Sequence, residues 1–207
     1  MNALSQAQVI RVLNHVEAIW SNPIRVMQHR RDALIIGALI HGLRTIEVTR
    51  LKRQDLDADS NTLRFQTAKG GAMHTINVAA TWTAAATDCW KEYQLKHGDR
   101  RLLFTSRNGK QLDTTAVWVL TTRICRQLLN VNASPHMFRH SAAMICYQQC
   151  KDPAVVMDLL GHKNLRHTIR YLATLIPVPS KSTIDILRAT GHGLHVYEPE
   201  PPGARRA

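Results

Sequence analysis

The sequence predicts a mainly helical α+β domain that carries one small antiparallel β-hairpin or sheet. Over most of its 207 residues, apolar side chains recur every three or four positions, as they do on one face of a helix. Between residues 63 and 78 the pattern changes to alternation, interrupted by a pair of glycines that is typical of a hairpin turn. Hydrophobic residues make up 44% of the chain, which suits a packed core and argues against global disorder.

The N-terminal part shows how the predicted helices are bounded. Ser5 and Gln8 have the spacing of a capping box, and apolar residues then continue to Trp20. Gly42 is suited to end a second helix, and Thr45 is expected to cap a short third one. The predicted helices cover residues 5–20, 31–41, 45–51, 82–97 and 114–129, followed by one from 135, one from 153 to 161, one around 168–171 and one at 183–189.

Two helix starts in the second half combine a polar cap with a proline. Ser134 and Asp152 each precede a proline, and proline at the first helical position favours initiation. Gly161 is suited to end the helix that follows Asp152. We therefore expect one domain over residues 1–190, followed by a flexible proline-rich tail at 191–207.

The charge of the chain points to a polyanionic partner. Lysine and arginine number 27 against 15 aspartates and glutamates, which gives a formal net charge of +12. Such an excess costs self-repulsion unless a polyanion relieves it, and nucleic acid is the commonest such partner. A well-solvated basic surface with no such partner is the alternative.

The sequence also predicts where the protein works. The N-terminus lacks the basic-then-apolar order of a secretory signal, and the longest apolar run, 33–40, is too short to cross a bilayer. The four cysteines include no C-x-x-C pair, which favours reduced thiols. We predict a cytoplasmic, nucleoid-associated protein without membrane contact. A metal site built from Cys146, Cys150 and a histidine is a minor alternative.

Residues 136–140 place three basic side chains on one face of a helix. His136, Arg139 and His140 are spaced i, i+3 and i+4, and His136 lies in the first turn, where free backbone N–H groups also attract an anion. A guanidinium offers two parallel donors to phosphate oxygens. Arg44, beside the turn at Gly42, is placed to supply a second such fork from the opposite side.

These residues point to chemistry on a phosphodiester that uses no metal and no other cofactor. Acidic residues are scarce, and the region from 136 to 171 holds only Asp152 and Asp158. We therefore expect no carboxylate cluster that could bind Mg²⁺. Two arginines and two histidines can stabilise the charge of the transition state instead.

Tyr171 is the predicted nucleophile and Lys69 the predicted general acid. A free phenol ionises near pH ~10, and surrounding positive charge with a nearby histidine eases its ionisation during attack. Attack forms a covalent phosphotyrosine and expels a deoxyribose hydroxyl, which Lys69 at the hairpin tip would protonate. Each residue taken alone is more often an ordinary surface or core residue, so the prediction depends on their combination.

The same residues resemble the catalytic domain of the tyrosine recombinases, the phage integrase family. The resemblance spans residues 4–187. The matching segments, in chain order, are Gly42-Leu-Arg44-x-x-Glu47, then Lys69 in the hairpin, then His136-x-x-Arg139-His140-Ser141, and finally Leu160-Gly161-His162 with Tyr171 nine positions further on.

The resemblance implies an integrase-like, mostly helical catalytic domain with a small sheet. It also implies a role for each matched residue. Glu47 is expected to support the first arginine, and His140 is placed in a supporting position. The residues expected to activate the phosphate are Arg44, Lys69, His136, Arg139 and His162, with Tyr171 as the nucleophile.

The function implied is that of a site-specific DNA recombinase of the integrase or invertase type, which cleaves and rejoins strands through a 3′-phosphotyrosine. Its expected partners are double-stranded DNA, further copies in a homo-tetramer on two recombination sites, and accessory DNA-binding proteins. Most members carry an additional N-terminal DNA clamp, which is expected to be missing here, as in small single-domain members such as the fimbrial phase-switch invertases. The segment beyond Pro179 is expected to dock onto a neighbouring subunit.

Two other hypotheses compete with an enzyme of this type. The chain could be a DNA-binding accessory or regulatory protein that keeps the fold with little catalysis. A metal-dependent nuclease is the second, and the shortage of carboxylates argues against it. Within the recombinase hypothesis, nicking and closing of DNA is an expected side reaction.

Overall fold

A computed structural model describes residues 3–68, 71–98 and 101–175. Those ranges contain eight α-helices and a three-stranded antiparallel sheet, so the predicted mainly helical α+β fold is confirmed. None of these helices is long and apolar enough to cross a lipid bilayer. The helices are α1 (Gln6–Trp20), α2 (Met27–Ile40), α3 (Thr45–Arg50), α4 (Ala80–His97), α5 (Thr114–Leu129), α6 (Pro135–Cys150), α7 (Pro153–Leu160) and α8 (Leu165–Leu175). The strands are β1 (Leu56–Asp57), β2 (Thr62–Gln66) and β3 (Met73–Asn77), with a 3₁₀ turn at Arg53–Asp55 before β1.

Polar caps define the ends of several helices as the sequence predicts. Ser5 Oγ accepts the backbone N–H of Gln8, and the Gln8 side chain accepts the backbone N–H of Ser5. This capping box starts α1. Asp152 caps α7 by accepting the N–H of Ala154 at 2.7 Å. Gly161 ends α7 with a φ of +59°, a left-handed conformation that favours glycine.

The start of α2 and the capping of α3 and α6 differ from the predictions. The helix α2 begins at Met27 rather than near residue 31, because its first turns bury Arg30 and Arg31, which break the apolar pattern. Thr45 is not the cap of α3. Arg44 occupies that position, and the side chain of Glu47 accepts its backbone N–H at 2.8 Å. Ser134 precedes α6, but its side chain makes no capping hydrogen bond. The predicted helix at 183–189 and the domain boundary at 190 lie outside the described residues.

The predicted hairpin is confirmed, and the structure adds a third strand to it. In the antiparallel pairing of β2 with β3, Leu63 lies opposite Ile76 and Phe65 lies opposite His74. The buried side chains of the hairpin therefore share one face of the sheet. The strand β1 pairs with β2 over two residues, which is too short for an alternating pattern to show in the sequence.

The main core packs α1, α2 and α4 against one another. Trp20 and Trp82 are almost fully buried, and the indole N–H of Trp82 donates to the carbonyl oxygen of Leu34 at 2.9 Å. Gly37 lets the indole rings approach α2, since a Cβ there would lie 2.6 Å from Trp82 and 2.7 Å from Trp20. This contact fixes α2, and with it the turn that carries Arg44.

A smaller apolar cluster joins the helices that carry the motif residues. It consists of Ala143 on α6, Val156 and Leu160 on α7, and Leu172 on α8. Tyr171 packs against this cluster. The position of Tyr171 relative to α6 therefore depends on apolar packing within these three short helices.

Candidate active site

The guanidinium of Arg139, on α6, is buried between the turn at Gly42 and the end of α7 at Leu160. One Nη atom donates to the carbonyl oxygen of Gly42, and the other donates to that of Leu160 at 2.6 Å. Burial lowers the pKa of Arg139 to about 10, and the nearby positive charge of Arg44 acts in the same direction. The side chain therefore stays charged at neutral pH. It also holds the end of α7 beside the turn before α3.

Arg44 is fixed by a single buried carboxylate. Glu47 accepts a hydrogen bond from the Arg44 guanidinium at 2.8 Å and another from the Arg44 backbone N–H at 2.8 Å. The same carboxylate accepts the backbone N–H of Ala68 at 3.1 Å. Glu47 thus connects Arg44 to the end of the hairpin strand, a connection that the sequence did not reveal. Gly42 adopts a φ of +93° in the turn that brings Arg44 into place.

Tyr171 points its hydroxyl toward α6. The phenol is partly buried and is hydrogen-bonded to Nδ1 of His140. Burial raises the pKa of Tyr171 to about 12, while the positive charges of Arg139 and Arg44 oppose that rise. The hydroxyl is therefore protonated at neutral pH, so attack on phosphorus requires a group that accepts its proton.

His162 follows the left-handed turn at Gly161 and is oriented by a buried threonine. Nδ1 of His162 is hydrogen-bonded to the hydroxyl of Thr168 at 2.9 Å. The ring stands perpendicular to that of Tyr171, with 5.9 Å between the ring centroids. A hydrogen bond at one ring nitrogen fixes the direction in which the other nitrogen points.

His136 lies one turn before His140 on the same face of α6. It is exposed in the first turn and lines an open cavity of about 410 Å³ together with Arg44 and Trp118. The structure thus places His136 and Arg44 on the wall of one cavity.

Lys69 lies outside the described residues, so the structure assigns it no position. Its neighbour Ala68 is described and bonds to Glu47, as noted above. The predicted general acid therefore comes directly after Ala68, whose backbone N–H donates to the Glu47 carboxylate that also holds Arg44.

His140 is the residue whose importance the sequence understates. The resemblance gave it a supporting position, whereas the structure puts it in direct contact with the hydroxyl of Tyr171, the predicted nucleophile. The two rings are 5.1 Å apart at their centroids. No sequence signal pairs two residues that are 31 positions apart and on different helices.

Potential metal ligands do not gather in the part of the chain that the structure describes. No three His, Cys, Asp or Glu side chains there lie close enough together to hold a metal ion. The two cysteines of α6, Cys146 and Cys150, have their sulfur atoms 4.0 Å apart.

Comparisons with known proteins show what the chain is similar to. Residues 2–175 match the phage integrase family. The type 1 fimbriae regulatory protein FimE of Escherichia coli K12 is 30% identical over 149 residues, which cover 70% of this chain and 75% of FimE. FimB from the same strain is 27% identical over 153 residues, covering 70% and 74% of the two chains. The crystal structure of the XerH site-specific recombinase bound to its difH substrate superposes with a TM-score of 0.69 at 21% identity. The match covers 83% of this chain and about half of the XerH chain (50%).

The chain belongs to the phage integrase family. This confirms the predicted family and, with the structural match, the predicted fold. It also confirms the predicted kind of enzyme, a site-specific DNA recombinase.

Proposed function

We propose that this recombinase breaks and rejoins DNA strands with Tyr171 as its nucleophile. The observation that carries the proposal is the convergence of Tyr171 with Arg139 and Arg44, whose charges act on the phenol from separate segments of the chain. Guanidinium groups bind the non-bridging oxygens of a phosphate with paired donors. A phosphodiester held between these arginines would present its phosphorus to the phenol oxygen.

The reaction is a reversible exchange of one ester for another. The phenol oxygen of Tyr171 attacks phosphorus, a bond to a 3′-phosphate forms, and the 5′ oxygen of the neighbouring nucleotide leaves with a proton. Attack by a 5′ hydroxyl on the phosphotyrosine reverses the step and joins the strands. Because the phosphotyrosine retains the ester bond, no nucleotide cofactor is required, and we assign no metal to the step.

Each remaining site residue has a proposed role in this exchange. Arg44 and Arg139 stabilise the charge that develops on the phosphate oxygens. His162, oriented by Thr168, and His136 donate hydrogen bonds to the same phosphate. Lys69 protonates the leaving 5′ oxygen as a general acid.

We propose an assembly that reflects the need to exchange strands between two DNA sites. Four copies of the chain would hold two sites of double-stranded DNA, with accessory DNA-binding proteins adding affinity. The segment beyond Pro179 would dock onto a neighbouring copy.

We also propose a location for the protein. Because its substrate is DNA, it would reside with the chromosome in the cytoplasm.

A nicked suicide substrate tests the proposal directly. Cleavage of such DNA releases a short fragment that cannot rejoin, so the covalent protein–DNA complex accumulates and is visible on a denaturing gel. The wild-type protein should form this complex, and Tyr171→Phe should bind the DNA without forming it. Tyr147→Phe is a matched control, because Tyr147 packs against the same apolar cluster. Binding by the wild type without any complex would support the accessory-protein alternative and contradict an active recombinase.

A further inference from the structure

Three histidines lie near the proposed nucleophile, and they make different contacts. His136 is exposed and faces the cavity beside Arg44. His162 has its Nδ1 atom on the Thr168 hydroxyl and meets the Tyr171 ring edge-on. His140 has its Nδ1 atom on the Tyr171 hydroxyl itself. A proton acceptor must lie within hydrogen-bond reach of the proton that it takes, and His140 meets that requirement.

We propose that His140 is a catalytic residue, the general base that accepts the proton of the Tyr171 hydroxyl during strand cleavage. The inference rests on the proposed role of Tyr171 as nucleophile. As the bond from the phenol oxygen to phosphorus forms, the hydroxyl proton passes to Nδ1 of His140. The bond from phosphorus to the 5′ oxygen breaks, and that oxygen takes its proton from the general acid. In strand joining, the imidazolium of His140 returns the proton to the departing phenol oxygen.

The surroundings of His140 favour the form of imidazole that can act as a base. The groups that face it are His136 and Arg139 on its own helix and Tyr171 on α8. Burial lowers the pKa of His140, and positive charge from His136 and Arg139 lowers it further. The ring is therefore neutral at pH 7, and acceptance at Nδ1 requires that Nε2 carry the ring hydrogen.

The protonated phenol makes such a base useful. Burial keeps the pKa of Tyr171 high, so spontaneous ionisation would supply very little phenolate at neutral pH. Transfer to His140 as the new bond forms avoids that requirement, because the phenol oxygen loses electron density to phosphorus in the same step. The positive charges of Arg139 and Arg44 assist the same transfer.

A pH profile of cleavage separates this role from a structural one. The substrate is a suicide DNA with sulfur in place of the bridging 5′ oxygen, because a thiolate leaves without a proton and the general acid then has no influence. Single-turnover cleavage by the wild type should fall about tenfold per pH unit below the pKa of His140. His140→Gln keeps a hydrogen-bonding side chain but cannot accept the proton. It should be at least about 10²-fold slower at pH 7, and its rate should rise continuously with pH.

Two further variants and a chemical rescue with imidazole serve as controls for this experiment. His136→Gln should slow cleavage but keep the wild-type shape of the pH profile, since its proposed contact is with the phosphate. His15→Gln changes an exposed histidine on α1 and should leave rate and profile unchanged. Added imidazole should restore part of the cleavage rate of His140→Ala, and the thermal unfolding of each variant shows whether it folds.

The possible outcomes distinguish this inference from the proposed function. His140 is not the base if folded His140→Gln cleaves at the wild-type rate with the wild-type pH profile. The same conclusion follows if His136→Gln, and not His140→Gln, abolishes the fall in cleavage rate at low pH. Either result leaves the role of Tyr171 intact. Absence of a covalent complex from the wild-type protein would instead reject the proposed function.

Discussion

Some N–H donors of the Arg139 guanidinium stabilise the fold, and the others are free for the proposed chemistry. Two of its five N–H donors are used on the carbonyl oxygens of Gly42 and Leu160. Three donors remain for a phosphate, and the two carbonyl contacts hold them in a fixed direction. A residue that organises two turns and also stabilises charge should affect stability and catalysis together when it is changed.

Arg139→Lys tests this dual role. Lysine keeps the positive charge but cannot reach both carbonyl groups from one planar fork. We expect a loss of about 1–3 kcal/mol in the free energy of unfolding, from a buried carbonyl left without a donor. We also expect cleavage to slow by about 10²-fold or more. Urea unfolding and single-turnover cleavage measure the two effects, with Arg123→Lys as an exposed control. A variant as stable and as fast as wild type would show that the carbonyl contacts contribute nothing.

At the scale of elements, the turn between α7 and α8 depends on close packing against the sheet. Gly161 adopts a φ of +59°, and a Cβ at this position would lie 2.9 Å from the ring of His74 on β3. The turn places His162 directly after this contact. Any residue larger than glycine would push the turn away from β3 and move the His162 ring.

Gly161→Ala should therefore lose more than the roughly 1–2 kcal/mol of stability that a left-handed backbone alone costs an alanine. It should also cleave more slowly, because the His162 ring moves with the turn. His74→Ala removes the ring that the new Cβ would meet, so Gly161→Ala should lose less stability in that background than in the wild type. Thermal unfolding and cleavage rates measure both comparisons. Equal losses in the two backgrounds would mean that the His74 contact is unimportant.

The side chain of His41 connects the end of α2 to the start of α4, and it can do so only when its ring is neutral. Its Nδ1 donates to the carbonyl oxygen of Gly37 at 2.7 Å, and its Nε2 accepts the N–H of Ala79 at 3.1 Å. Burial lowers the pKa of His41, so the folded state favours the neutral ring. Protonation of Nε2 would remove the acceptor that Ala79 uses.

The stability of the protein should accordingly fall on mild acidification. The unfolded chain binds a proton at position 41 more readily than the folded chain does, so stability is fully present above about pH 6.5 and is lost as the pH falls below it. Urea unfolding at pH 7.5 and at pH 5 measures the loss. His41→Gln should lose less between these two pH values than wild type, and the exposed-site variant His15→Gln should lose as much as wild type. An identical loss in all three proteins would contradict the assignment.

The features that the sequence predicted are those with local causes. The bounds of α5 agree with Thr114–Leu129 because Asp113 accepts the N–H of Thr115 at one end, and Asn130 adopts a left-handed conformation with φ of 55° at the other. The start of α2 was missed because buried arginines interrupt its apolar pattern. The contact between His140 and Tyr171 was missed because it joins helices that no local pattern relates. The matched motif residues predict which side chains belong to the candidate site, and the packing of α6, α7 and α8 determines which of them touch.

At the scale of the whole molecule, the excess positive charge should dominate DNA affinity. A formal net charge of +12 on 207 residues attracts a polyanion, and each phosphate that is neutralised releases a counterion. Affinity for DNA should therefore fall on the order of 10³-fold between about 50 and 200 mM salt. Fluorescence anisotropy with a labelled duplex measures the slope of affinity against salt concentration. A slope near zero would show that the basic residues do not bind the phosphate backbone.

All of these features serve one proposed event, the transfer of a DNA strand to the hydroxyl of Tyr171. Proteolysis of the trapped protein–DNA complex, followed by mass spectrometry of the nucleotide-bearing peptide, identifies the residue that carries the strand. We predict that the 3′-phosphate is attached to Tyr171 and to no other residue. Attachment to Tyr93, Tyr147 or any serine would contradict the proposed mechanism.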